Sequence, residues 1–217
     1  MGDSGNRSTS AGETDRAPAG RAAPIGVVLA GGPGSRIGGA KAIVQLRGRP
    51  LIAYPLAALQ SVLDDVVVVA KSDTKLPSLA GVTVWVEPQS LAHPLVGLVH
   101  AIGLAGGRSV LVCAGDLPFV TPSAVRQLAE ADGHGAPAVI AASDGRLQPL
   151  LGRYEPIVAE LLGEQDPSGL RLTEAVAGLK PAVVELDDPD LVFNVNTPDD
   201  LLQASAMLDL RYPNVKS

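Results

Sequence analysis

The stretch LAGGPGSRIGGAK, Leu29 to Lys41, sets five glycines and two cations, Arg36 and Lys41, directly behind the apolar run IGVVLA. Glycine lets a backbone fold back so that several N–H groups point into one space, and such a concavity accepts anions. At the carboxyl end of a first strand, where open α/β sheets take their ligands, the expected occupant is a phosphate-bearing molecule. Two familiar phosphate loops do not fit. A dinucleotide fingerprint needs glycine three residues after Gly34, where Ile37 stands. A Walker A loop needs Gly-Lys-Ser/Thr, whereas Ala40 separates Gly39 from Lys41 and Ala42 follows. On the loop alone, a plain connecting turn with Arg36 and Lys41 as solvated charges is the competing reading.

Asp116 is the second chemical landmark. It follows the apolar run SVLVCA by one glycine, at the same edge of the expected sheet as the loop, and Pro118 stiffens its turn. A carboxylate there suits Mg2+, a hard cation that takes oxygen ligands and keeps waters and phosphate oxygens in its shell. The alternative, a cap for the helix expected near Pro122, is better served by the adjacent Thr121. Asn194 and Asn196 flank Val195, so an extended strand would put both amides on one face, for a metal or an acceptor phosphate; strand-end amides bonded to nearby backbone are the alternative. His93 is expected beside a ligand pocket, His100 on a helix face and Trp85 in the core. Arg153 and Arg171 read as solvated surface, with contact to an anionic acceptor as the second option.

The elements that must position these residues are short runs rich in Val and Ile alternating with helical patterns. Strands are expected at 25–30, 66–70, 82–86, 109–114 and 137–142. Their near-continuous apolar character implies cover on both faces and a mostly parallel sheet. Helices are expected at 50–63, 94–105, 122–131 and 197–208, several opening on proline or on a Thr-acidic cap. Pro55 predicts a kink or a late start in the first. The segment 163–182 matches no pattern. The expected class is α/β: a doubly wound, mostly parallel, Rossmann-like sheet.

The composition sets outer bounds. With 217 residues, 46% hydrophobic, the chain suits one core, expected over 23–210, with a disordered tail at 1–22 and a short tail at 211–217. A net charge of −6 argues against nucleic acid as the main partner, so any anion site is local. Residues 1–22 hold no apolar run long enough for a signal or a membrane span. The opening Met-Gly lacks the Ser or Thr of a myristoylation site. The single Cys113, in an apolar run, predicts a buried, reduced thiol and a cytoplasmic protein.

Taken in order, these segments resemble the nucleotidyltransferases that activate sugars and molybdopterin, and within them the molybdenum cofactor guanylyltransferase family. The likeness runs from Leu29-Ala30-Gly31-Gly32 through Arg36, Lys41 and Gly48-Arg49-Pro50-Leu51. It continues in EPQSLAHPLVGL (87–98), AGDLPFV (114–120), LQPLLGRY (147–154) and FNVNTPDDL (193–201). It implies a loop wrapped round a nucleotide triphosphate, nucleotide contacts at Leu29, Ala30, Gly31, Gly32, Pro94, Leu95 and Gly97, and an acceptor side at Gln148 and Pro149. Asn194 and Asn196 would complete the site. Arg36 would fork onto the β and γ phosphates, Lys41 would lie near the α phosphate and Asp116 would hold Mg2+. The implied reaction is transfer of GMP from GTP to molybdopterin with loss of pyrophosphate, and transient contact with other molybdenum cofactor proteins follows. The sequence departs from the family where Ala40 precedes Lys41 in place of Asp, at Val69 and Pro88 in place of Asn and Asp, and at Gln148 in place of His. A cytidylyltransferase (using CTP), a sugar-phosphate nucleotidyltransferase and a non-catalytic nucleotide-binding protein are the alternatives.

Overall fold

Strands that are apolar at every position, rather than every second one, need cover on both faces, and the computed structural model, which describes residues 22–30, 41–88 and 93–211, provides it. Gly31, Gly32 and Arg36 lie outside the described residues, as do the expected tails apart from Ala22 and Arg211. The chain runs β1 (Ile25–Leu29), a small hairpin of β2 (Gln45–Leu46) and β3 (Arg49–Pro50), α1 (Ala53–Gln60), β4 (Val66–Lys71) and β5 (Thr83–Glu87). There follow α2 (Pro94–Leu104), β6 (Val110–Ala114), α3 (Pro122–Glu130), β7 (Ala138–Ser143), β8 (Arg146–Tyr154), α4 (Val158–Gly163), α5 (Leu172–Gly178), β9 (Ala182–Glu185) and α6 (Pro198–Arg211). The main sheet has seven strands in the order β5-β4-β1-β6-β8-β7-β9. Pairs from β5 to β6 are parallel, β8 runs antiparallel to both its neighbours, and β9 returns parallel to β7.

Alternate side chains of each central strand feed two cores. Val28, Val68, Leu111 and Cys113 pack with α1 and α3 residues such as Leu59 and Leu128. Val27, Val67, Val112 and Ile140 pack with Leu98 and Ile102 of α2 and Val158 of α4. Cys113 is buried, and that burial pushes its thiol pKa far above the ordinary value, so it stays protonated. Pro94 and Pro122 open α2 and α3 at positions whose missing N–H has no intrahelical role. Pro55 produces the late start: α1 begins at Ala53, which leaves the proline in the first turn.

Five elements differ from the sequence expectation. β8 is a nine-residue strand that its Pro149, Gly152 and arginines disguise, although the turn before it is legible. Asp144 and Gly145 both adopt positive φ, 50° and 69°, the pairing that a tight two-residue hairpin demands. Helices α4 and α5 and strand β9 occupy the stretch around 163–182 that showed no periodicity. Helix α6 extends to Arg211, whose guanidinium bonds Asp188 and Asp190 at 2.7 and 2.8 Å.

Arg153 departs from both readings: it is neither solvated nor placed at the cleft to meet an anionic acceptor. Only 2% exposed, it donates to the carbonyls of Leu128, Ala129 and Ala131 and lies 3.5 Å from Glu155. Those carbonyls are the orphans at the end of α3, so the arginine is a buried helix cap. Arg171, 83% exposed at its side chain, is the solvated surface group expected of it.

Candidate functional site

Parallel strands bring their carboxyl ends to one edge, and a cleft of about 560 Å3 opens there. Leu29, Ala30 and Asp116 line it from β1 and the turn after β6; Lys41, Pro94 and Gly97 line it from the elements above. The strand ends are locked together. Ala30 N–H donates to Val69 O at 2.9 Å and Gly115 N–H to Leu29 O at 3.0 Å, which fixes the turn that carries Asp116. A side chain at Gly115 would approach Leu29 O to 3.2 Å, so that close approach needs glycine.

At one end of the cleft, Lys41 forms an ion pair with Asp116 Oδ2 and donates to Asn196 Oδ1 at 2.7 Å. Both ionic side chains are more than four-fifths buried. Asp116 Oδ1 is buried with no hydrogen-bond partner among the described residues. Asp116 is not a helix cap, because Thr121 Oγ1 takes that part by accepting from Ala124 N–H at 3.3 Å. The amides of Asn194 and Asn196 do not share a strand face, since residues 193–196 form an irregular link from a 3-10 turn to α6. Asn194 donates to Val192 O at 3.2 Å, a local backbone contact, while Asn196 reaches Lys41. Val195 between them donates its N–H to Asp116 O at 3.0 Å and buries its side chain with Leu46, Leu51 and Phe119. That small third core seats Asn196 beside the cleft.

The other end was missed by sequence reasoning. Lys71 and Glu87 are register partners at the ends of β4 and β5, and both line the cleft with Lys75. Glu87 is 5% exposed, with the charges of Lys71 and His100 near its carboxylate. Burial raises its pKa above the usual 4.5, against the opposing charges of Lys71 and His100. Gly97 leaves room for it: a Cβ there would lie 3.1 Å from Glu87 Oε2. His93 caps α2, accepting from Leu95 N–H on Nδ1 (3.2 Å), and its Nε2 lies 2.9 Å from Leu170 O, so the ring hydrogen belongs on Nε2. Leu95 itself is core, 2% exposed. Val69 is fully buried; the residue of β4 that reaches the cleft is Lys71, two positions on. Trp85 packs against the core from β5.

Gln148 and Pro149 stand beside the cleft rather than in it. The β7–β8 register slips between Ile140 and Ala141, and the bulged segment turns Leu150 into the lining. The buried hydroxyl of Tyr154 donates to Pro149 O and pins that bulge.

Residues 26–179, more than half of the chain, match the MobA-like NTP transferase domain family. The chain belongs to that family. It is 33% identical over 189 residues to the probable molybdenum cofactor guanylyltransferase of Thermococcus gammatolerans, covering 82% of this chain and 96% of that one. It is also 33% identical over 208 residues to the molybdenum cofactor guanylyltransferase of Rhizobium leguminosarum bv. trifolii, covering 88% and 95%. A similar solved structure is molybdopterin-guanine dinucleotide biosynthesis protein A from Archaeoglobus fulgidus, with TM-score 0.71, 28% identity and coverage of 86% and 99%. In this MobA-like transferase no helix among the described residues is long and apolar enough to cross a membrane. No group of three or more His, Cys, Asp or Glu able to hold a metal occurs among those residues either. Mg2+ does not require one, because phosphates and water fill most of its shell. The partnerless Asp116 Oδ1 fits such an ion, and Asn196 Oδ1 stands nearby.

Proposed function

We propose that this MobA-like transferase moves GMP from GTP to the molybdenum cofactor and releases pyrophosphate, acting in the cytoplasm as the single domain 23–210. The observation that carries the reading is the meeting of Lys41 and Asp116 at one end of a nucleotide-sized cleft, with Asn196 beside it bonded to the same lysine. An acceptor phosphate attacks the α phosphorus and pyrophosphate leaves in line, so the protein supplies no nucleophile and works by alignment and charge. Lys41 donates to α-phosphate oxygen as negative charge gathers there, while Arg36 and the backbone of Gly31 and Gly32 hold the outer phosphates. Asp116, with Asn196 beside it, would hold Mg2+, which supplies Lewis-acid neutralisation of the phosphates.

Glu87 favours guanine over cytosine. A buried carboxylate accepts two parallel N–H bonds, and guanine offers its N1–H and N2–H2 together on one edge. Pro94, Gly97, Leu29 and Ala30 line the same cleft. Gln148, Pro149 and Asn194, beside the cleft, are assigned to the acceptor, and other molybdenum cofactor proteins are the expected transient partners.

The test is calorimetric titration with GTP, CTP, ATP and UTP in the presence of Mg2+, followed by assay of pyrophosphate release with molybdopterin. Selective GTP binding with turnover supports the reading. Selective CTP binding moves the protein to the cytidylyl relatives, and tight GTP binding without turnover makes it a non-catalytic nucleotide binder.

A further inference from the structure

The ammonium of Lys41 lies between Asp116 Oδ2 and Asn196 Oδ1. One anionic and one amide oxygen are the hard donors that a divalent cation takes. The three residues come from separate places: a 3-10 turn, the turn after β6 and the link before α6. A lysine placed only to grip phosphate has no reason to bridge both donors. We propose that Lys41 has a second role as a stand-in cation: it holds Asp116 and Asn196 together as a donor pair and gives way to the divalent ion when its ammonium is drawn to a nucleotide phosphate.

The proposal rests on the reading of Asp116 as metal carboxylate and goes beyond it. In the nucleotide-free protein an incoming ion must displace an ammonium, so it binds weakly. Once phosphate attracts Lys41, Asp116 Oδ2 and Asn196 Oδ1 are released, and by linkage the ion tightens nucleotide binding by the same factor. The buried, partnerless Asp116 Oδ1 gives the ion a point of entry before Lys41 leaves.

The test is titration of the nucleotide-free protein with Mn2+, free ion being read by electron paramagnetic resonance. Wild type is compared with Lys41→Met, Lys41→Gln, Lys75→Met and Asp116→Asn. Lys75→Met removes one positive charge from the same cleft lining without touching Asp116. Removing the stand-in raises Mn2+ affinity about tenfold or more, whereas Lys75→Met, screened by solvent, changes it by less than about threefold. Lys41→Gln gives the reading if the methionine variant does not fold. Unchanged or weaker Mn2+ binding in the Lys41 variants overturns the proposal, since a lysine that only braced the donors would leave them looser when removed. An equal gain in Lys75→Met overturns it too, by reducing the effect to general charge. Asp116→Asn separates the two levels: if it binds Mn2+ as wild type does, the metal assignment itself fails, whatever Lys41 does.

Discussion

The two ends of the cleft are built from opposite materials. At the β1–β6 end, a lysine, a carboxylate and an amide already answer one another. At the β5 end, a carboxylate is buried beside the charges of Lys71 and His100. Three strand spacings separate them along the sheet edge, roughly 14 Å, a span that base, ribose and phosphates fill between them. On the proposed reading, charge that acts on a reacting phosphate is kept ready and neutralised, whereas charge that recognises a base is buried among cations and takes a ligand with matching donors.

The largest effect expected tests the first end. Asp116→Asn keeps the volume and removes the charge, so transfer falls by about a thousandfold or more while the melting temperature stays within a few degrees. Steady-state pyrophosphate release and a thermal melt decide it, and near-wild-type turnover would move the chemistry elsewhere. At the other end, Glu87→Gln weakens GTP by about thirtyfold, the loss of a charged buried hydrogen-bond acceptor, and leaves CTP nearly unchanged. Equal loss for both nucleotides would erase the division of labour between the two ends.

Smaller effects sharpen the contrast. Gly97→Ala places a methyl 3.1 Å from Glu87 Oε2 and 3.5 Å from Leu29 Cδ2, and a cost of about 1 kcal/mol predicts roughly fivefold weaker GTP by calorimetry. The smallest effect is on stability. Because burial raises the Glu87 pKa, the folded state favours its protonated form. Its contribution to stability is therefore fully present below the unfolded value near 4.5 and is lost as pH rises through the folded pKa. Glu87→Gln accordingly melts a few degrees higher than wild type at pH 7, and the gain disappears by pH 4. A variant that binds worse and folds better is what a buried carboxylate kept for ligand recognition predicts; lower stability at pH 7 would mean that Glu87 has a structural partner.

The same division marks what could be read in the sequence. Asp116 and Lys41 announce themselves locally, through a Gly-Asp turn after an apolar strand and a cation behind a glycine loop. Lys71 and Glu87 look like ordinary strand-end charges, and only the parallel register of β4 and β5 sets them side by side. That pairing is set between strands, and no residue spacing encodes it. Strands covered on both faces were legible because every position is apolar, whereas β8 was lost behind Pro149 and its arginines despite the Asp144-Gly145 turn. Arg153 could not be placed without α3, whose terminal carbonyls turn a charged residue into an interior one. For Asn194 and Asn196 the period-two rule failed because the segment is not a strand.

Lys41 and Asn196 are separated by 155 positions, and the hydrogen bond from Val195 to Asp116 joins the end of the chain to its middle. During synthesis the glycine loop and Asp116 emerge long before their last partner. A ribosome-bound chain that has not yet reached Val195 would present cations and a carboxylate, yet without that residue's N–H the turn that carries Asp116 lacks one of its anchors. Competence of the proposed site thus waits for Val195 and Asn196, and a product truncated before them lacks both contacts to Asp116 and Lys41.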